Sequence, residues 1–306
     1  MSDLMVGGQV IAPVTPFNAK GELMLDAYGE IIRWHLDCGV GGFLVAGDNG
    51  EAWALTADEL GRITRAAIEE VKGRVPVFVG ASAITAAKSV ALAGVAADAG
   101  ADGLCLQPQS YVLNGTTAEI VGRIEAVHQA VPLPILLYNH PGRTGLNMTP
   151  DMLKVLCDAV PVVGLKEASN DFVQLTRIIE RFADRFAILT GPAHYIIPAM
   201  ELGAAGYIST GPELLGAGAG RIMETAAMTT AERRHLHCTI TDAFTAVQFI
   251  GTRPAGIKAA LVMLGLPAGL PREPVLALSP DDEARLNDAL VRCGVLEEAA
   301  PRRAAS

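Results

Sequence analysis

Short apolar runs recur along the chain at nearly regular intervals, and longer segments with helical spacing separate them. The apolar residues of each run are continuous rather than alternating, which is typical of parallel strands buried on both faces. The eight runs begin at residues 9, 41, 75, 102, 134, 162, 186 and 204. Their spacing of roughly 20–35 residues suits strand–helix units joined by short loops.

The segments between the runs carry the residues that begin helices. TADE (56–59) and TTAE (116–119) fit the capping box, in which a Thr is followed three residues later by a Glu. Thr149-Pro150 and Ser279-Pro280 each place an N-cap residue before a proline suited to the first helical position. The connecting segments are therefore predicted to be helices.

Eight strands, each followed by a helix, predict an α/β fold, a (β/α)8 TIM barrel over residues 1–225. A doubly wound sheet is the alternative, but regular repeats with no charged edge strand favour a closed barrel. Residues 229–251, 255–265 and 281–296 read as helices with no strand between them. We therefore expect a C-terminal helical extension over residues 226–306.

Composition and charge narrow the class of protein. Half of the 306 residues are hydrophobic and 19% are charged, which allows a large buried core. The net charge of -9, with no dense Lys/Arg cluster, argues against nucleic-acid and anionic-membrane partners. No run approaches the ~18 apolar residues of a membrane span, and the first ten residues do not resemble a signal peptide. The five cysteines are scattered without CxxC spacing, so we expect reduced thiols in a cytoplasmic protein.

Candidate catalytic residues follow the predicted strands, because a TIM barrel carries its active site at the carboxyl ends of its strands. Lys166 ends the sixth run and Tyr138 ends the fifth, so a barrel makes them neighbours. A desolvated lysine amine is what Schiff-base formation with a ketone requires, and a neighbouring phenol can relay protons. The other strand-end residues are Asp48, Asn49, Ser82, Gln107, Gly191 and Ser209.

Several motifs in register resemble the dihydrodipicolinate synthase and N-acetylneuraminate lyase family. YNHPGRTG (138–145) resembles the family's Y-N-x-P-x-x-T-G signature, and GLKEASN (164–170) resembles G-x-K-E. The resemblance covers most of the chain. It also includes APVTPF (12–17), GDNGE (47–51), Gly191, GYIS (206–209) and GIKAALVMLGL (256–266).

This resemblance implies a (β/α)8 barrel with a C-terminal helical extension and a Schiff-base enzyme that needs no cofactor or metal. Lys166 would form the imine and Tyr138 would relay protons. Main-chain groups of the GDNGE loop, at Asn49, Gly50 and Asp48, would bind the carboxylate of a 2-oxo acid. The remaining substrate-binding positions would be Gly191, Ile208 and Ser209, together with Arg143, which would bind a second anionic group. Relatives are commonly homotetramers built from tight dimers, so a dimer or tetramer is expected.

The chain departs from the family at the proton relay. Most members have two small hydroxyl residues where this chain has Asp48 and Asn49, and a tyrosine from a neighbouring subunit where it has Ser110. Asp48 could face Tyr138 and accept protons, could itself be protonated, or could point out of the site. We favour the first arrangement, which makes Asp48 a third catalytic residue.

Four functions are compatible with this pattern. The first is a lyase or aldolase that acts on pyruvate or a substituted 2-oxo acid. The second, close behind, is a dehydratase or deaminase of a 2-oxo sugar acid or a hydroxyproline-derived substrate, and dihydrodipicolinate synthase itself ranks after it. A binding protein that kept the 2-oxo acid pocket but lost turnover is the alternative from another class.

Overall fold

The computed structural model describes residues 6–296. Eight parallel strands form a closed barrel in chain order, and β1 pairs with both β2 and β8. The (β/α)8 barrel predicted from the apolar runs is therefore confirmed. The strands are β1 (Gly8–Ile11), β2 (Gly42–Val45), β3 (Val77–Gly80), β4 (Gly103–Leu106), β5 (Ile135–Asn139), β6 (Val162–Glu167), β7 (Ala187–Thr190) and β8 (Gly206–Tyr207).

Helices surround the barrel and continue beyond it. Those between strands are α1 (Leu25–Asp37), α2 (Ala57–Val71), α3 (Ala86–Asp98), α4 (Thr117–Ala130), α5 (Pro141–Thr144), α6 (Pro150–Ala159), α7 (Phe172–Phe182) and α8 (Ile196–Glu201). The C-terminal helices are α9 (Thr230–Phe249), α10 (Ala255–Met263) and α11 (Pro280–Arg292). None of the helices within residues 6–296 is long and apolar enough to cross a membrane.

The predicted helix starts are present as hydrogen-bonded caps. The Thr56 hydroxyl accepts the N–H of Glu59 at 3.2 Å, while the Glu59 carboxylate accepts the N–H of Thr56 at 2.9 Å. The same reciprocal pair joins Thr116 and Glu119. Each box satisfies N–H groups that the first helical turn leaves without an intrahelical acceptor.

The segment after β8 differs from a regular barrel helix. Residues Pro212–Ala227 form 3₁₀ turns rather than an α-helix, and Gly216 interrupts them with φ 55° and ψ -131°. A positive φ costs glycine little because it has no Cβ. The glycine-rich stretch LLGAGAGRI (214–222), which reads as a loop and helix start after the eighth strand, therefore forms 3₁₀ turns with a bend at Gly216.

Apolar side chains pack against both faces of the barrel strands. One cluster fills the barrel interior with residues such as Leu44, Phe78, Leu136 and Leu189, and Tyr138 belongs to it. A larger cluster lies between the strands and the surrounding helices. Because side chains alternate between the two faces of a strand, this packing decides which strand-end residues point inward toward the barrel mouth.

Candidate active site

Lys166 and Tyr138 lie directly opposite each other on adjacent strands. The β5–β6 register pairs Tyr138 with Lys166, and the β6–β7 register pairs Lys166 with Leu189 of the interior cluster. The Lys166 side chain therefore faces the barrel interior, where its Nζ lies 4.2 Å from the centroid of the Tyr138 ring. Both residues are buried, with 7% and 4% exposure. The structure thus brings together the two residues that the strand ends predicted.

The environment of Lys166 favours a reactive amine. Burial lowers the pKa of the amine to about 8, although the Cys105 sulfur and the Asp48 carboxylate oppose this change. Burial also raises the pKa of the Cys105 thiol to about 12, so that group stays neutral at physiological pH. Near pH 8 about half of the Lys166 side chains are therefore unprotonated, as a nucleophile must be.

Tyr138 has the opposite character and holds its proton. Burial raises the pKa of its phenol well above the ordinary value, and the Asp48 carboxylate raises it further. The ring packs edge-on against His140 at a centroid distance of 5.8 Å. Burial lowers the pKa of His140 to about 4. The phenol is therefore protonated, and the imidazole beside it is uncharged.

The GDNGE loop after β2 is held from several directions. Glu51 is fully buried and forms an ion pair with Lys258 of α10, which is itself only 1% exposed. The other Glu51 oxygen accepts the main-chain N–H of Arg272 at 2.8 Å. Thr15 donates its hydroxyl to the Gly50 carbonyl at 2.7 Å. These contacts fix the loop because a buried ion pair and buried hydrogen bonds are costly to break.

Within this loop, the side chain and the main-chain N–H of Asn49 have different environments. Its amide donates to the hydroxyl of Thr210, in the loop after β8, at 2.8 Å. Within residues 6–296, the main-chain N–H groups of Asn49 and Gly50 donate to no protein acceptor. Consecutive free N–H groups in a tight turn form a concave site suited to an anion.

Asp48 is bound by two arginines rather than by Tyr138. Its Oδ2 accepts hydrogen bonds from Nε and Nη2 of Arg143 at 3.2 and 3.1 Å, and from Nη1 of Arg253 at 2.6 Å. Burial by itself would raise the pKa of the Asp48 carboxyl, but Arg143, Arg253 and Lys166 together hold it below its ordinary value. Asp48 is therefore ionised. A hydrogen bond from Tyr138 to Asp48 is absent from the described part of the chain, and the proposed role of Asp48 as a base stays a prediction.

Arg253 is a site residue that the sequence reading did not identify. It follows α9 in the C-terminal extension, 205 residues from its partner Asp48, and its side chain is only 18% exposed. The strand-end rule cannot find such a residue because it searches only the loops of the barrel. The one available signal was its position three residues before the GIKAALVMLGL motif.

Three predicted positions lie around the strand ends near Lys166. The Gly191 N–H donates to the Glu167 carbonyl at 2.7 Å, and a Cβ at Gly191 would lie 2.6 Å from that of Ala168. Ile208 belongs to the interior cluster, and Ser209 is buried with its hydroxyl 3.4 Å from the Thr210 carbonyl. Gly191 therefore permits a close approach of β6 and β7 that a larger residue would prevent.

A cavity of about 270 Å³ opens at the mouth of the barrel. Five of the residues predicted at the site line it, namely Asp48, Ser82, Gln107, Tyr138 and Arg143, and Ser110 lines it as well. This cavity is not lined by Lys166, whose Nζ lies over the Tyr138 ring, nor by Asn49, Gly50, Gly191, Ile208 and Ser209. Tyr111, beside Ser110, is 87% exposed and does not line this cavity. The volume suits a small molecule.

Sequence comparison agrees with this architecture. The chain matches the Dihydrodipicolinate synthetase family over residues 5–292. It is 34% identical over 294 residues to the 4-hydroxy-tetrahydrodipicolinate synthase of Maridesulfovibrio salexigens, and the match covers 94% of this chain and 99% of that protein.

Solved structures with the same fold include two different kinds of protein. The structure of DHDPS from Cyanidioschyzon merolae with lysine bound has a TM-score of 0.88 at 30% identity, covering 96% of this chain and 100% of that chain. CdNal from Clostridium difficile, solved in complex with mannosamine, has a TM-score of 0.86 at 25% identity, covering 94% and 98%. Since the family match spans nearly the whole chain and whole relatives are covered, this chain belongs to the dihydrodipicolinate synthetase family of lyases.

Proposed function

We propose that the protein is a lysine Schiff-base lyase that acts on pyruvate or a substituted 2-oxo acid. The observation that carries this proposal is the buried contact between Lys166 and Tyr138, with the amine 4.2 Å from the ring centroid. A buried amine with a lowered pKa supplies the neutral nucleophile that imine formation needs. Family membership supports the same chemistry.

In the first step, the unprotonated amine of Lys166 attacks the keto carbon, and a proton moves from nitrogen to the keto oxygen to give a carbinolamine. Tyr138, whose phenol stays protonated, donates a proton to the departing hydroxyl, and water leaves as the C=N bond forms. The cationic iminium then accepts electrons from the substrate. In a retro-aldol cleavage, a base takes the proton of the substrate hydroxyl, the carbon–carbon bond breaks to release a carbonyl fragment, and its electrons form an enamine that is protonated on carbon. In an elimination, a base takes the proton from the carbon next to the iminium, and the hydroxyl on the following carbon leaves with a proton as water. Hydrolysis of the imine returns the proton to Tyr138 and frees Lys166.

Two groups of the site are suited to the anionic ends of the substrate. The unpartnered N–H groups of Asn49 and Gly50 are suited to the carboxylate next to the imine carbon. Arg143, 45% exposed at the cavity wall, is suited to a second anionic group further from Lys166. In the structure Arg143 donates to Asp48, so an anionic substrate would exchange with Asp48 as its partner.

The second candidate function is a dehydratase or deaminase of a 2-oxo sugar acid or a hydroxyproline-derived substrate. Its specific support is the ionised Asp48 at the cavity wall, because a carboxylate there can stabilise a cationic intermediate or accept a proton. A 2-oxo acid binding protein without turnover is the candidate from another class. The lowered pKa of Lys166 argues against it, since binding alone needs no nucleophile.

Borohydride reduction in the presence of pyruvate tests the first covalent step. We expect a stable mass adduct that peptide mapping assigns to Lys166, and no adduct at this position in Lys166→Arg. Lys154→Arg is the matched control, because Lys154 is an exposed lysine on α6 and should leave the adduct intact. Absence of any adduct on Lys166 in the wild-type protein would refute the proposal.

A panel of 2-oxo acids then distinguishes the candidate reactions. Release of pyruvate identifies an aldolase, release of ammonia a deaminase, and loss of water a dehydratase. An adduct on Lys166 combined with no turnover on any member of the panel would favour the binding protein. The protein is otherwise expected to use no added cofactor, to act in the cytoplasm and to form a homo-oligomer.

A further inference from the structure

Arg253 extends from the C-terminal helices to the reacting groups of the barrel. It lies in the loop between α9 and α10, and its Nη1 donates to Asp48 at 2.6 Å. Burial has the largest effect on each group, since it lowers the pKa of Lys166 and raises the pKa of Tyr138. The positive charge of Arg253 adds a smaller decrease to the pKa of both groups. Arg253 therefore acts on the amine and the phenol at the same time.

The hydrogen-bond donors of Arg253 are only partly used. Nη1 donates to Asp48, whereas Nε is buried and has no hydrogen-bond partner among the described residues. Within residues 6–296, Nη2 of Arg253 also makes no hydrogen bond to the protein. The N–H groups of Nε and Nη2 point along one edge of the guanidinium, and this edge matches the two oxygens of a carboxylate.

Arg143 differs from Arg253 in which of its hydrogen-bond donors already have an acceptor. Its Nε and Nη2 are the two atoms that already donate to Asp48, and its side chain is 45% exposed against 18% for Arg253. Arg253 is thus the less exposed of the two arginines and, among residues 6–296, the one whose Nε and Nη2 donate to no protein acceptor.

The charges around Asp48 leave room for one anion. Two arginine cations share a single carboxylate, which gives this group a net charge of +1 before any substrate enters. Arg143 is 45% exposed and its charge is in contact with solvent, whereas Arg253 is 18% exposed, and a largely buried cation is costly unless an opposite charge compensates it. The keto carbon of a 2-oxo acid carries its carboxylate directly, so a substrate that reaches Lys166 brings the compensating anion with it.

We propose that Arg253 binds the carboxylate adjacent to the keto carbon, side-on through Nε and Nη2, and that Asp48 holds the guanidinium in position. This inference rests on the proposed function, since it concerns the same 2-oxo acid. The main-chain N–H groups of Asn49 and Gly50 contribute further donors to this carboxylate. Arg143 is left for a distal anionic group, and Asp48 becomes a positioning residue for Arg253.

The test compares two ketones that differ only at the carboxylate and that borohydride can trap on Lys166. Borohydride trapping on Lys166 is measured over a range of concentrations of pyruvate and of its methyl ester, which keeps the ketone but has no charge. Arg253→Gln should raise the half-saturating concentration of pyruvate about 10–100-fold, as expected for a lost charge-assisted hydrogen-bond pair. The half-saturating concentration of the methyl ester should change by no more than about 3-fold in the same variant.

Two controls separate recognition from general damage. Arg253→Gln also removes a cation that lowers the pKa of Lys166, but this change affects both ketones alike and cancels in their ratio. Arg285→Gln makes the same substitution at an exposed arginine of α11 and should leave the ratio unchanged. Arg253→Lys keeps the charge without the bidentate edge, so it should give an intermediate increase for pyruvate, with a melting temperature near that of the wild type.

The outcomes distinguish this inference from the proposed function. A wild-type protein that forms no adduct with either ketone contradicts the Schiff-base function and this inference with it. Adduct formation with an unchanged pyruvate-to-ester ratio in Arg253→Gln leaves the Schiff-base function intact and refutes the role of Arg253. An equal increase for both ketones also refutes it, because Arg253 would then act only on Lys166 or on the fold.

Discussion

In the proposed reaction, Lys166 must lose its proton before it attacks the ketone, and the groups around it change the pKa of its amine in opposite directions. Burial and Arg253 lower the pKa of the amine, whereas the Asp48 carboxylate raises it, and the result is a pKa of about 8. The rate of borohydride trapping should therefore rise with pH and reach half of its maximum near pH 8, since only the neutral amine attacks the ketone. A pH-independent rate between pH 6 and pH 10 would contradict this expectation.

Removing the charge of Asp48 should move this profile in a known direction. Because the Asp48 carboxylate raises the pKa of Lys166, Asp48→Asn should lower that pKa and shift the midpoint of trapping to lower pH. The arginines that Asp48 neutralises would reinforce the shift. Asp151→Asn, which removes a 90% exposed carboxylate from α6, should leave the midpoint in place. An unchanged pH profile and turnover in Asp48→Asn would show that Asp48 has no part in the reaction.

Sequence reasoning predicted part of this site and missed the rest for a physical reason. The contact between Lys166 and Tyr138 was predictable because both end strands that are neighbours in any barrel of this connectivity. The partners of Asp48 were not, because Arg253 approaches from 205 residues away and its position depends on how the extension packs. Local pattern carries no information about such a contact.

At the level of secondary-structure elements, the same contrast holds. Capping boxes such as Thr56 with Glu59 depend on residues three apart, so they could be read directly from the sequence. The segment Pro212–Ala227 could not, because its 3₁₀ turns are interrupted by the positive φ of Gly216. Regular local chemistry is visible in the sequence, whereas an irregular segment is determined by the packing around it.

The buried ion pair between Glu51 and Lys258 joins two elements, the loop after β2 and helix α10. Both side chains are essentially unexposed, with 0% and 1% exposure. Lys258→Met should therefore lower the free energy of unfolding by about 3–5 kcal/mol, because it leaves a buried carboxylate without its partner. Urea denaturation followed by circular dichroism measures this change.

A double variant separates the charge imbalance from the loss of packing. In Glu51→Gln with Lys258→Met, the neutral amide can still accept the Arg272 N–H that Glu51 accepts at 2.8 Å, and no unpaired charge remains. We expect this variant to recover at least half of the stability lost in Lys258→Met. If Lys258→Met alone changes the unfolding free energy by less than about 1 kcal/mol, the ion pair does not hold the loop.

At the scale of the whole molecule, the C-terminal helices are part of the catalytic architecture rather than an appendage. Lys258 and Arg272 hold the GDNGE loop through Glu51, and Arg253 contacts Asp48 of the same loop. The barrel provides Lys166 and Tyr138, the proposed nucleophile and proton donor, while the extension holds the loop beside them. The two parts therefore share one site, although the sequence pattern changes from strand–helix repeats to helices near residue 225.

The loop between β4 and α4 leads to the last prediction, which concerns assembly. Three consecutive apolar residues in this loop, Tyr111, Val112 and Leu113, are 87%, 48% and 62% exposed. The adjacent Ser110 lines the cavity. A contiguous apolar tip next to a functional cavity is a favourable surface for contact with a second copy of the chain, which agrees with the homo-oligomer expected from the family resemblance.

Sedimentation velocity tests this expectation directly. The wild-type protein should sediment as a dimer or tetramer, and Tyr111→Asp should shift it toward smaller species, because a buried unpaired carboxylate destabilises an apolar interface. Leu276→Asp is the matched control, since Leu276 is an equally exposed apolar residue, at 80%, in the C-terminal extension. A monomeric wild-type protein, or an assembly that Leu276→Asp dissociates as readily as Tyr111→Asp, would show that the tip of the β4–α4 loop is not the interface.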